Sequence, residues 1–222
     1  MARYRRMEVL NSLTKIGLVP LFYQDEVDIA VGIVNACLDG GAQCVEFTNR
    51  GDNAHRVFEG VSNHFKSDDR LILGAGSIID AGTASLFLQL GANFIVGPTF
   101  NEDIAVLCNM RKVAYVPGCG TVNEISQAEK FGVEICKFFP GTLGGPTFVK
   151  NILGPMPWTS IMPTGGVSLD EKNIREWFEA GVVAVGIGSN LITKEAVKQQ
   201  DYSAITRNVK IALEWINSAR KK

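Results

Sequence analysis

Short runs of apolar residues alternate with longer stretches in which apolar side chains recur every three or four positions, and this alternation continues to the end of the chain. The short runs are IGLVPLF (16–22), QCVEFT (43–48), LILGAG (71–76), NFIVGP (93–98), VAYVPG (113–118), EICKFFP (134–140), SIMPTGG (160–166) and VVAVGIG (182–188). Each reads as a buried strand. Between them lie amphipathic segments such as EVDIAVGIVNACLDGG, DAGTASLFLQLGA, TVNEISQAEKFG and SLDEKNIREWFEAG. Many of these end in the glycine that favours a helix C-terminus. A short helical segment, YRRMEVLNSLTK, precedes the first strand, and YSAITRNVKIALEWINSARKK forms a last helix.

Eight β-α units predict an α/β fold, a (β/α)8 TIM barrel with a short N-terminal helix. A doubly wound open sheet is the other arrangement this alternation allows. Both folds bind ligands at the carboxyl ends of the strands, so functional residues are sought there in either case. No Pro/Gly/Ser linker, low-complexity tract or break in composition divides residues 1–222, which read as a single domain.

Composition narrows the partners. Lys and Arg number 22 against 23 Asp and Glu, so nothing electrostatic favours nucleic acid or an anionic membrane, and a small-molecule substrate is expected. No apolar run reaches the roughly 18 residues of a membrane helix, and MARYRR is followed by a segment too polar for a signal-peptide core. A soluble, cytoplasmic protein is expected. The cysteines at 37, 44, 108, 119 and 136 form no CxxC and suggest reduced packing residues rather than a disulfide framework or a zinc cluster. His55 and His64 stand nine residues apart in the helical stretch after the second strand, off a common face, and read as surface residues rather than as a metal pair.

One residue breaks the apolar pattern. Lys137 sits inside EICKFFP, where alternation puts it on the face of Ile135 and Phe139, away from Cys136 and Phe138. In the second strand Glu46 shares a face with Cys44 and Thr48, and Arg50 follows the strand end. The second and sixth strands of an eight-stranded barrel face each other, so Glu46 and Lys137 could meet across its interior. A lysine drawn out of water, or set beside another cation, gives up its proton more readily and becomes an amine nucleophile toward carbonyls. A carboxylate within reach then moves protons. On spacing alone, a buried Lys–Glu ion pair with no catalytic role weighs equally, although such pairs stabilise poorly.

Two further groups of glycines lie at strand ends. PTGG (163–166) and GIGS (186–189) follow the last two strands, the usual phosphate site of a barrel, where backbone amides approach an anion and Ser189 adds a hydroxyl; turning the chain is their plainer use. GAGS (74–77) lacks the third glycine and the acidic partner of a dinucleotide fingerprint, so nicotinamide binding is not expected.

Taken in order, EFTNR, GAGS, VGPTF, VPG, KFFP, PTGG and GIGS resemble the bacterial 2-keto-3-deoxy-6-phosphogluconate (KDPG) / 4-hydroxy-2-oxoglutarate (KHG) aldolases, from GLVPLF to about GSNLI. The resemblance implies a class I aldolase, a lyase that works without cofactor or metal and is usually a homotrimer. It implies Lys137 as Schiff-base lysine, Glu46 as general acid/base, and Arg50 as the group holding the pyruvyl carboxylate, with Ser77 near that carboxylate. Pro98 and Phe139 would wall the imine, and Thr164, Gly165, Gly166 and Ser189 would grip a phosphate. The chain departs from the family at Phe47 and Asn49, at PGCGT and at PGTLGG, the last two bordering the aldehyde half of the substrate. A phosphate-binding barrel isomerase or synthase with a structural Lys–Glu pair, and a non-catalytic sugar-acid-phosphate binder, are the alternatives.

Overall fold

The computed structural model describes residues 2–220. Its strands are β1 (Leu18–Phe22), β2 (Cys44–Thr48), β3 (Ile72–Gly76), β4 (Phe94–Val96), β5 (Ala114–Val116), β6 (Gly118–Cys119), β7 (Cys136–Phe138), β8 (Ile161–Pro163) and β9 (Val185–Ile187). Helix α1 (Arg6–Ile16) precedes them, and α2 (Val27–Gly40), α3 (Ala54–His64), α4 (Ala81–Gln89), α5 (Glu102–Arg111), α6 (Val122–Lys130), α7 (Gly145–Leu153), α8 (Glu171–Glu179), α9 (Lys194–Gln199) and α10 (Tyr202–Arg220) follow in turn. Side-chain caps start several of these helices where the sequence supplies Asp, Asn or Thr. Asp80, Asn101, Thr121 and Asp170 each accept from the backbone amide three residues on.

Every strand pairing is parallel, as helical crossovers require. One sheet runs β5-β4-β3-β2-β1-β9 and a second runs β6-β7-β8. The first order contains no reversal, and the first and last strands are neighbours, which removes the doubly wound alternative.

Most strands are shorter than the apolar runs that predicted them, and two differences have a clear local cause. Ile16 ends α1 rather than opening β1, because Gly17 takes the left-handed conformation (φ 77°) and caps the helix. The fifth run, 113–118, is split into β5 and β6 by Pro117, which has no N–H to give to a ladder. The Pro117 carbonyl still accepts, at 2.8 Å, from the amide of Lys137. Chain continuity at Pro117 thus links the two sheets at one margin. At the other, Val183 N donates to the Ile161 carbonyl at 3.0 Å, and Thr164, just past β8, bridges Gly186 of β9.

Alternation along the strands sorts the core into two parts. The larger part lies between strands and helices and takes Val45, Phe47, Cys136 and Phe138. The smaller takes Val19, Cys44, Ile72, Phe94, Ala114, Ile135, Met162 and Ala184 from the other strand faces, together with Val9, Leu10 and Leu13 of α1. Helix α1 therefore seals the N-terminal end of the strands. No helix among the described residues is long and apolar enough to cross a membrane.

Leu13 is 1% exposed within the smaller cluster, so Leu13→Ala opens a cavity that the surrounding strands cannot collapse into. Denaturant unfolding of this variant is expected to show a loss of about 2–5 kcal/mol. A loss well under 1 kcal/mol would mean that α1 does not seal the interior.

Candidate active site

The interior is packed near α1, and glycines let other groups approach closely farther along the strands. A Cβ at Gly76, Gly118, Gly186 or Gly188 would meet, respectively, the Glu46 carboxyl, the Pro98 carbonyl, the Thr164 hydroxyl and the Leu21 side chain. Of two buried ionisable side chains nearby, Glu46 uses the space left at Gly76.

Lys137 lies on β7, in register with Gly118 on one side and Met162 on the other, and is 6% exposed. Its Nζ stands 4.9 Å from the centroid of the Phe139 ring, and Phe139 is half-buried. Glu46 lies on β2 between Leu21 and Gly74 and is 1% exposed. Its carboxyl leans toward the strand end, with Oε1 against Gly76, the residue in register with Thr48. Burial pushes the Glu46 carboxyl above the ordinary range, while the charges of Lys137 and Arg50 pull it back. Oε2 of Glu46 is buried without a hydrogen-bond partner. That is not the arrangement of a structural ion pair, which is tolerable in a low dielectric only when its oxygens are satisfied.

Around this pair stand the other residues singled out from the sequence. Arg50 is exposed just past β2, its amide bonded to the Thr48 carbonyl at 3.0 Å, and its charge reaches Glu46. Ser77 follows β3 with φ 60°, a left-handed conformation that costs a non-glycine residue energy and turns the chain away at the strand end. Pro98 is half-buried, with the Gly118 backbone packed against its carbonyl.

Thr164 is 6% exposed, and its Oγ1 is buried and unpartnered, although its backbone is held by bonds to the Phe138 carbonyl (3.0 Å) and from Gly141 N (2.9 Å). Gly165 and Gly166 both have φ 78°, which no β-branched residue would adopt, and are exposed at the same end as Ser189. The PGTLGG segment, where the chain departs from the family pattern, lies on this loop through Gly141 and Thr142. Trp177 Nε1 supports it from behind at 3.4 Å from the Gly166 carbonyl.

GAGS is no dinucleotide fingerprint, yet its Gly76 admits the Glu46 carboxyl, a use signalled in the sequence by inward parity beside Glu46. Trp177 gives no local signal, since it comes from α8 and meets the loop only in the fold. His55 and His64 both lie on α3, the second with its ring against Phe65 at 4.8 Å. The five cysteines are free and buried, and burial pushes Cys37, Cys44 and Cys108 up to about 12, as expected of packing residues.

The family model described as KDPG and KHG aldolase matches residues 9–208. The chain belongs to that family. It is an aldolase. A 2-dehydro-3-deoxy-phosphogluconate aldolase of Pseudoalteromonas atlantica is 30% identical over 197 residues, 88% of this chain and 89% of that protein. The KHG/KDPG aldolase of Escherichia coli K12 is 28% identical over 204 residues, 91% and 93% of the two chains. Among solved structures, the KDPG aldolase of Legionella pneumophila, with pyruvate captured as a covalent carbinolamine intermediate, is similar with a TM-score of 0.83 and 26% identity over 90% of this chain and 96% of that one.

The state of Glu46 has a consequence for stability. The folded protein binds this proton more tightly than the unfolded chain does. Its contribution is therefore full below the ordinary glutamate value of about 4.3 and is lost as pH rises through the raised folded value. Glu46→Gln removes this dependence. The difference in melting temperature, variant minus wild type, is expected to grow as pH is raised from about 4 to about 8. A difference that stays constant over that range would contradict the raised carboxyl.

Proposed function

We propose that this aldolase cleaves 2-keto-3-deoxy-6-phosphogluconate to pyruvate and glyceraldehyde 3-phosphate by a class I route, with 4-hydroxy-2-oxoglutarate cleaved to pyruvate and glyoxylate through the same intermediate. The observation that carries this reading is the burial of Lys137 within the electrostatic reach of a Glu46 carboxyl that has an unpartnered buried oxygen. In the same reading the two sheets, joined at Pro117 and at Thr164–Gly186, make one closed (β/α)8 barrel. Its single domain works in the cytoplasm as a homotrimer, the usual assembly of the family.

The Lys137 amine attacks the C2 ketone, and Glu46 relays protons while the carbinolamine loses water. Glu46 then takes the C4 hydroxyl proton as the C3–C4 bond breaks, and the electron pair of that bond flows into the protonated imine. The imine is itself the electron sink, so the route needs no cofactor. The pyruvate enamine is protonated and hydrolysed. Arg50 and Ser77 hold the pyruvyl carboxylate, and Pro98 and Phe139 exclude water around the imine. The amides of Gly165 and Gly166, with the Ser189 hydroxyl, grip the phosphate, since the Thr164 amide is already given to the Phe138 carbonyl. Thr164 adds a hydroxyl whose partner is the substrate.

Lys137→Ala is expected to abolish cleavage and to leave the fold intact, since it removes a buried cation along with the nucleophile. Wild type treated with pyruvate and borohydride should gain the mass of a reduced pyruvyl adduct, and the variant should not. An active variant, or an adduct formed without this lysine, would overturn the mechanism.

Binding energy at the remote phosphate positions the ketone against Lys137. A charge-assisted hydrogen bond is worth about 1.5–3 kcal/mol, so Ser189→Val should lower kcat/KM on the phosphorylated substrate by roughly tenfold to a hundredfold. The loss should be smaller on 4-hydroxy-2-oxoglutarate. Equal losses on both substrates, or none on either, would remove the phosphate grip.

A further inference from the structure

The E-x-T-x-R motif contains a residue that the mechanism above leaves unused. Thr48 shares the inward face of β2 with Cys44 and Glu46, is 1% exposed, and stands in register with Gly76. Its hydroxyl donates to the carbonyl of Phe22, the last residue of β1, at 3.1 Å. A hydroxyl has one hydrogen, and here that hydrogen is committed, so Thr48 offers any other group only lone pairs. The Glu46 carboxyl reaches the same level of the interior, with Oε1 against Gly76 and Oε2 unpartnered. Two buried acceptors on one strand face suit a molecule carrying two hydrogens.

From this placement we infer that Thr48 is a positioning residue which, with the Glu46 carboxylate, holds the water released when the Lys137 carbinolamine dehydrates and consumed when the product imine is hydrolysed. The inference rests on Lys137 being the imine-forming lysine. In the first step Glu46 gives its proton to the C2 hydroxyl, the C–O bond breaks, and the nitrogen lone pair closes the C=N bond. The water stays, with one hydrogen on the Glu46 carboxylate and the other on Thr48 Oγ1. Both hydrogens are then held, so a lone pair is left to face the iminium carbon. In hydrolysis that lone pair forms the C–O bond, the C=N π electrons return to nitrogen, and the water's proton passes to Glu46. No other reactant is needed. Thr164 does not supply the same function, because its unpartnered hydroxyl keeps a free hydrogen and can turn donor.

The test compares Thr48→Val with Thr48→Ser in the full chain. Two quantities are read: kcat for cleavage, and the number of deuterium atoms carried by each pyruvate released at low conversion when the enzyme is incubated with pyruvate in D2O. An imine that hydrolyses slowly passes through its enamine several times before release. Thr48→Val should therefore lower kcat roughly tenfold to a hundredfold and shift released pyruvate from singly to multiply deuterated. Thr48→Ser should restore both. If the valine variant does not fold, Thr48→Ala gives the same comparison. Wild-type kcat in the variant, or a fall in kcat with an unchanged deuterium distribution, would reduce Thr48 to a structural role. Failure of the wild type itself to exchange deuterium or to form the borohydride adduct would instead overturn the reading of Lys137.

Discussion

The site depends on removing two ionisable groups from water without giving them to each other. A buried carboxylate or ammonium is costly unless it is paired, and a protein can lower that cost by closing the pair into a hydrogen-bonded bridge. Here the bridge is not closed. Glu46 has an unpartnered oxygen, and Lys137 faces an aromatic ring rather than a carboxylate. The cost is borne by the rest of the fold, whose interior is packed with apolar side chains near α1.

That division of the interior follows from strand geometry. Each strand contributes alternate residues inward, so two consecutive inward positions lie at two depths. On β2 the deeper is Cys44 and the next Glu46, and at β7 the deeper is Ile135, just before the strand, and the next Lys137. On β3 and β9 the outer depth is glycine. The apolar lower level resists water and keeps the Glu46 and Lys137 side chains from relaxing downward, while glycine at the upper level admits the Glu46 carboxyl at Gly76. Helix α1, which touches none of the chemistry, keeps the lower level closed.

The strand ends are shaped by local backbone chemistry. Pro117 interrupts the ladder between β5 and β6 and accepts from the amide of Lys137 through its carbonyl, so a break in one strand still holds β7 beside it. Ser77 turns the chain in a left-handed conformation at the end of β3, and Gly165 and Gly166 do the same after β8. The PGTLGG segment, which departs from the family pattern, meets the glycine loop through backbone contacts from Gly141 and Thr142.

Much of this was legible along the chain. Period-two alternation assigned Lys137 and Glu46 to inward faces, because side-chain direction in a strand is set by parity and needs no knowledge of neighbours. The glycines of PTGG and GIGS fell at strand ends for the same local reason, and the apolar runs set the number and order of the βα units. The tertiary structure decided what parity cannot carry. It determined that Glu46 lacks a partner, that Gly76 exists to admit its carboxyl, that Thr48 has already given its hydrogen to Phe22, and that Trp177 from a distant helix supports the Gly166 carbonyl. Each of these is a distance between residues on different elements, fixed by strand register and helix packing. Sequence spacing holds no record of such distances until the chain has closed on itself.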